Sequence, residues 1–154
     1  MNQEVLQDRD VLAATESRAA ELAPVIQACL REGDTRTILE YFEDQHPADV
    51  ASVLSNLPPE DASRALRLLP IDVRADVFGY LEPEDQIQIG RALGRREFAK
   101  LVSEMSADER ADLFNRLPQE QQETLLPALA QAEREDIRKL ASYPEGTAGA
   151  VMTS

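Results

Sequence analysis

Val53-Leu54-Ser55-Asn56-Leu57-Pro58-Pro59-Glu60-Asp61-Ala62-Ser63-Arg64-Ala65-Leu66-Arg67-Leu68-Leu69-Pro70 is the stretch on which the fold turns. An apolar pair, Val53/Leu54, stands four and three residues before Leu57; proline and acids follow, and twelve residues later Ala65/Leu66 and Leu69 repeat the pattern. Positions i, i+3 and i+4 share one helical face, so each unit reads as a short amphipathic helix. Outward from this stretch the period holds at Leu57, Leu69, Leu81, Leu93, Met105, Leu117 and Leu129. The preceding pairs are Val77/Phe78, Leu101/Val102, Leu113/Phe114 and Leu125/Leu126, with Ile89/Gly90 the weakened member. Between units, Pro58-Pro59-Glu60-Asp61, Pro70-Ile71-Asp72, Glu82-Pro83-Glu84-Asp85 and Pro118-Gln119-Glu120 place proline where a first helical turn tolerates it and acids where the positive helix end favours them. Ser106-Ala107-Asp108-Glu109 has the spacing of a capping box. Helices this short are marginal alone and must stack on neighbours. The expected fold is all-α: a right-handed superhelix, or small α-solenoid, of short helices with a twelve-residue repeat.

Upstream, Glu4 to Arg31 has helical patterning that Pro24 is expected to interrupt; Gly33 suits a helix C-terminus and Asp34-Thr35 the next start. His46-Pro47 opens the helix Ala48 to Asn56. Downstream, Gln131 to Ser142 reads as a separate last charged helix, and residues 143–154 as a linker without helical period. The chain therefore divides into an N-terminal helical segment (1–31), a helical-repeat domain (32–142) and the linker.

The 154 residues carry 29 Asp+Glu against 16 Lys+Arg, a net charge of −13, which disfavours nucleic acid and anionic lipid as partners. The single cysteine, Cys29, excludes an internal disulfide and any multi-thiolate metal site. No signal-peptide pattern or apolar run of membrane-spanning length occurs, so a soluble cytosolic segment is expected. His46 is the only histidine, and none of the six glycines falls in a phosphate-cradling pattern; an enzyme is not expected. Carboxylates are the remaining chemistry. Asp108 and Asp112 lie four apart on one helical face, and Asp76 shares the register of Asp112 three repeats earlier. Hard cations such as Mg²⁺ take oxygen ligands and retain waters, so a sparse acidic surface can hold them; the same acids could equally serve only helix starts and solvation.

Glu32-Gly-Asp-Thr-Arg36, His46-Pro-Ala-Asp49, the leucine-proline repeats, Arg110-Ala-Asp-Leu113 and the closing Tyr143-Pro-Glu-Gly-Thr-Ala-Gly-Ala-Val-Met-Thr153 resemble the N-terminal cytosolic domain of the MgtE family of magnesium transporters. A related superhelix occurs in a flagellar motor switch protein, so a helical interaction scaffold is the alternative reading. The resemblance implies a modular homodimer at the cytoplasmic face of the membrane, in which this domain precedes a CBS domain pair and a transmembrane pore. It also implies Mg²⁺ sensing: ions held between this domain and the CBS pair favour a closed pore. Matching motif to motif places the magnesium-associated acids at Asp76, in Arg74-Ala-Asp76-Val77, and at Asp108 and Asp112, in Ser106-Ala-Asp108-Glu-Arg-Ala-Asp112.

Overall fold

The computed structural model describes the backbone of residues 3–141 and the side chains of residues 18–133. Within them the chain is all-α: α1 (Gln3–Glu32), α2 (Thr35–Glu43), α3 (Pro47–Ser55), α4 (Pro59–Arg67), α5 (Ile71–Gly79), α6 (Pro83–Leu93), α7 (Arg95–Ser103), α8 (Ala107–Arg116) and α9 (Gln119–Ala141). From Thr35 to Gln119 the first residues of α2 to α9 stand twelve apart.

Local chemistry explains the helix ends. Asp34 N–H donates to the Cys29 carbonyl (2.9 Å) and Gly33 N–H to that of Leu30 (3.3 Å), the paired closure that needs the positive φ of Gly33, +74°. Asp34 then caps α2, accepting from Thr37 N–H at 3.2 Å and from the Thr37 hydroxyl. These bonds favour the ionised carboxyl and lower the Asp34 pKa. His46 caps α3 through Nδ1, which accepts from Ala48 N–H at 3.0 Å, while its ring meets Tyr80 edge-on at 5.5 Å. Pro59 and Pro83 sit in first turns, where a missing N–H costs nothing.

From α3 onward most helices pack on the helix two places along: α3 on α5, α5 on α7, α7 on α9, α4 on α6, and α6 on α8, with α6 also against α7 and α1 against α2, α3 and α4. The repeat residues from Leu57 to Leu117 are all buried, as are the pairs from Val53/Leu54 to Leu101/Val102. One core cluster runs from Ala19 to Leu125. At the C-terminal end the pattern opens. Phe114 and Leu129 are only half-buried and Leu126 is 55% exposed.

Two expectations are corrected. α1 runs unbroken through Pro24, because Ala19, Ala23, Ile26, Cys29 and Leu30 dock on the neighbouring helices, and burying that face offsets the roughly 3 kcal/mol of an internal proline. Gln131–Ser142 is not a separate helix; its residues up to Ala141 belong to α9, which passes Pro127 without ending. Pro58, Pro70, Pro83 and Pro118 follow a repeat leucine, whereas Pro127 precedes Leu129, and Ala130-Gln131-Ala132-Glu133 supplies no turn residue. The 143–154 linker and the closing motif lie outside the described residues.

A longer recurrence emerges at the fourth residue of each helix. Arg74 in α5 and Arg110 in α8, thirty-six residues apart in sequence, fold back identically: Arg74 Nη2 donates to the Arg67 and Leu69 carbonyls (both 2.9 Å), and Arg110 Nη2 to those of Ser103 and Met105 (3.0 and 3.2 Å). Gln86 in α6 and Gln122 in α9 donate to the Phe78 and Phe114 carbonyls (2.9 and 2.6 Å). These side chains bond to carbonyls at or just past the ends of the preceding helices, where intrahelical partners run out.

Candidate metal-binding surface

Asp76 and Asp112 are each the sixth residue of their helices, α5 and α8, and Asp108 is the second residue of α8. All three side chains are exposed. Asp108 stands in the first turn, where backbone N–H groups are unpaired and a negative charge is favoured. Ser106 opens the same turn, its hydroxyl accepting from Glu109 N–H at 3.2 Å.

What keeps these acids un-neutralised is the placement of the neighbouring arginines. Arg110 lies between Asp108 and Asp112 in sequence, yet its guanidinium is turned inward onto the Ser103 and Met105 carbonyls. Arg74, two residues before Asp76, is turned inward in the same way and carries its remaining charge to Glu97 at 3.4 Å. Residues two apart do not share a helical face, so neither arginine competes for the aspartate beside it. Among the described residues, Asp76, Asp108 and Asp112 form no ion pair.

The Glu109 side chain of α8 reaches Gly79 of α5. A Cβ built on Gly79 would lie 3.7 Å from Glu109 Oε2, which brings the last turn of α5 to the first turn of α8. Asp76 precedes Gly79 by three residues and Asp112 follows Glu109 by three, each on the face of the residue at the contact. Glu109 is thus a fourth exposed carboxylate at this surface, one that repeat register alone does not single out. The duplicated Arg-Ala-Asp-apolar-Phe string at 74–78 and 110–114 is the signal that relates α5 to α8. Among the described residues, no three His, Cys, Asp or Glu side chains converge closely enough to hold a metal ion by themselves. The carboxylate set matches the oxygen preference of a hard cation, with waters or a second surface needed to complete the shell.

A cavity of about 860 Å³ lies elsewhere, between α4 and α6, and is lined by Arg64, Arg67 and Arg91 rather than by these acids. Cys29 is buried in the core, and burial, with Asp34 and Glu32 adding, raises its thiol pKa. Cys29 and His46 thus have structural surroundings.

Fold and surface together define a class: an all-α helical-repeat domain that folds Arg74 and Arg110 back onto backbone carbonyls and leaves the carboxylates beside them facing out. Residues 45–146 match the family model of the MgtE intracellular N domain, and the chain belongs to that family. It is 32% identical over 136 residues to the magnesium transporter MgtE of Thermus thermophilus, covering 86% of this chain, and 28% identical over 134 residues to that of Bacillus subtilis, covering 87%. The chain spans 30% of the length of each. Similarity also extends to the flagellar motor switch protein FliG of Agrobacterium fabrum, 25% identical over 119 residues, covering 72% of this chain and 34% of that protein. The family is one of magnesium transporters, not of enzymes. Among the described residues, no helix is long and apolar enough to cross a membrane.

Proposed function

We propose that this chain is the cytosolic regulatory domain of an MgtE-type magnesium transporter, and that it senses intracellular Mg²⁺. The observation that carries the reading is the un-neutralised set Asp76, Asp108 and Asp112 on α5 and α8, with Arg74 and Arg110 beside them committed inward. Asp76, Asp108 and Asp112 supply one half of the ion shell and a CBS domain pair of the same protein supplies the other. Without the ion the two acidic surfaces repel; a divalent cation between them cancels the repulsion and bonds to both. Binding to the closed arrangement alone stabilises it by RT ln(1 + [Mg²⁺]/Kd), about 2.7 kcal/mol at a hundredfold excess over Kd. That shifts a two-state pore equilibrium about a hundredfold toward closure. In this reading the full protein is a homodimer with its pore in the membrane, and this domain stands at the cytoplasmic face.

Limited proteolysis of the full-length protein across a Mg²⁺ titration tests the reading. Cleavage within residues 32–142 is expected to fall as Mg²⁺ rises, and Asp108→Ala/Asp112→Ala to move the midpoint to higher Mg²⁺. Protection that is identical in the double variant overturns the site. The similarity to the flagellar motor switch protein favours a second reading, a helical interaction scaffold whose acids serve solubility. Coding sequence downstream of Ser154 that lacks a CBS pair and membrane spans would select that scaffold.

A further inference from the structure

The net charge of −13 conceals a small region of opposite sign. Arg95 and Arg96 open α7, and Lys100 follows one turn after Arg96 on the same face. All three are exposed, and they line a cavity of about 170 Å³ closed on the other side by Ala128, Gln131 and Ala132 of α9. Among the described residues, no acid lines this cavity. Among the described residues none of the three cations has an ion pair or a hydrogen bond from its side chain. Glu97, the acid in the first turn of α7, is drawn to the opposite flank by Arg74 at 3.4 Å.

This arrangement opposes ordinary helix electrostatics. Two arginines in a first turn face the positive end of the helix, and Arg96 and Lys100 four apart repel each other. Gly94, the residue before Arg95, offers no side chain to occupy the first-turn N–H groups. An anion in the cavity would relieve the repulsion. Small α9 residues, Ala128 and Ala132, leave the room.

We propose that Arg95, Arg96 and Lys100 form a binding pocket for a single phosphate group against α9. Two guanidinium forks and an ammonium suit a dianion with several acceptor oxygens. At about 170 Å³ the cavity is well below the 300–1,000 Å³ of sites that enclose a drug-sized ligand, so it takes the phosphate and leaves any larger carrier outside. The group can be inorganic phosphate or the monoester head of a membrane lipid. The acids of the domain do not prevent the latter, since opposed charges beyond about 10 Å are largely screened at physiological salt.

The test is a titration of the 154-residue chain with sodium phosphate at constant ionic strength, followed by the amide resonances of residues 94–100. Alongside it runs flotation with phosphatidylcholine vesicles with and without phosphatidic acid. Saturable shifts in that segment, weakened at least tenfold in Arg96→Gln/Lys100→Gln with the thermal midpoint retained, establish the pocket with a soluble source. Flotation that needs phosphatidic acid and is lost in the same variant establishes it with a lipid source. An absence of both responses, or responses that the double variant leaves unchanged, overturns the proposal. Should the double variant unfold, Arg95→Gln alone serves the same comparison.

Discussion

Replacing Gly90 by alanine sets two physical effects against each other at the weakened pair of the repeat. In the interior of α6 the exchange gains roughly 0.5–1 kcal/mol of helix propensity. A Cβ at that position, however, would meet three atoms of the Phe98 ring at 2.7, 2.9 and 3.0 Å. Phe98 is 3% exposed, and its ring is already against Phe78 at a centroid distance of 5.6 Å, so it has little room to retreat. Overpacking of this kind costs about 1–3 kcal/mol, and the net is a destabilisation of about 0.5–2 kcal/mol. For a chain of this size that lowers the thermal midpoint by roughly 2–6 °C. In a Phe98→Leu background the clash is relieved, so Gly90→Ala becomes neutral or stabilising, with a coupling of about 1–3 kcal/mol between the sites. Differential scanning calorimetry of the four proteins measures both. A rise in midpoint for Gly90→Ala alone, or additive effects in the double variant, would refute the packing argument.

The remaining predictions concern caps and charges. Asp34→Ala removes the acceptor for Thr37 and is expected to lower the urea midpoint at pH 7; because the folded-state pKa is lowered, that contribution is present above the unfolded carboxyl pKa and fades as pH falls through the folded one. Arg110→Met leaves the Ser103 and Met105 carbonyls without their donor and is expected to lower stability by about 1–2 kcal/mol, toward the low end because the variant also removes an Nε–H that is buried without a partner. Asp85 is raised by desolvation, with Glu84 and Glu82 adding, so its ionised form opposes folding; Asp85→Asn raises the thermal midpoint at pH 7, and the difference vanishes below the carboxyl range, where the wild-type side chain is protonated.

Most of the fold was legible in the sequence because each repeat carries its own start and stop. Leu57 to Leu117 mark buried positions, Gly33 and Asp34 a turn, and Ser106 a cap, and every one of these acts locally. Where packing overrides local preference the reading failed. Pro24 promises a break and Gln131 a new start, yet the burial of α1 and the pairing of α9 with α7 carry both helices through. The weakened Ile89/Gly90 pair is not a defect: the missing side chain is replaced by the Phe98 ring eight residues later. Three repeats earlier the same two positions hold Leu54 and Ala62, so large and small have changed places.

The surface was half legible. Register puts Asp76 and Asp112 in equivalent places, but only three dimensions show that the Glu109 side chain of α8 reaches Gly79 of α5. Nor does sequence reveal that Arg74 and Arg110 are spent on backbone carbonyls, since an Arg-Ala-Asp string reads as balanced charge. Net charge also averages away the basic cavity between α7 and α9.

The central claim is that exposed aspartates on α5 and α8 report cytosolic Mg²⁺ to a pore. The most direct measurement is Mg²⁺ uptake by the full-length protein in vesicles as the Mg²⁺ concentration on the domain's side is raised. The account predicts that Asp76→Ala/Asp108→Ala/Asp112→Ala raises the concentration for half-inhibition at least about tenfold, a loss of roughly 1.4 kcal/mol, while uptake at low Mg²⁺ is retained. An unchanged midpoint would contradict it.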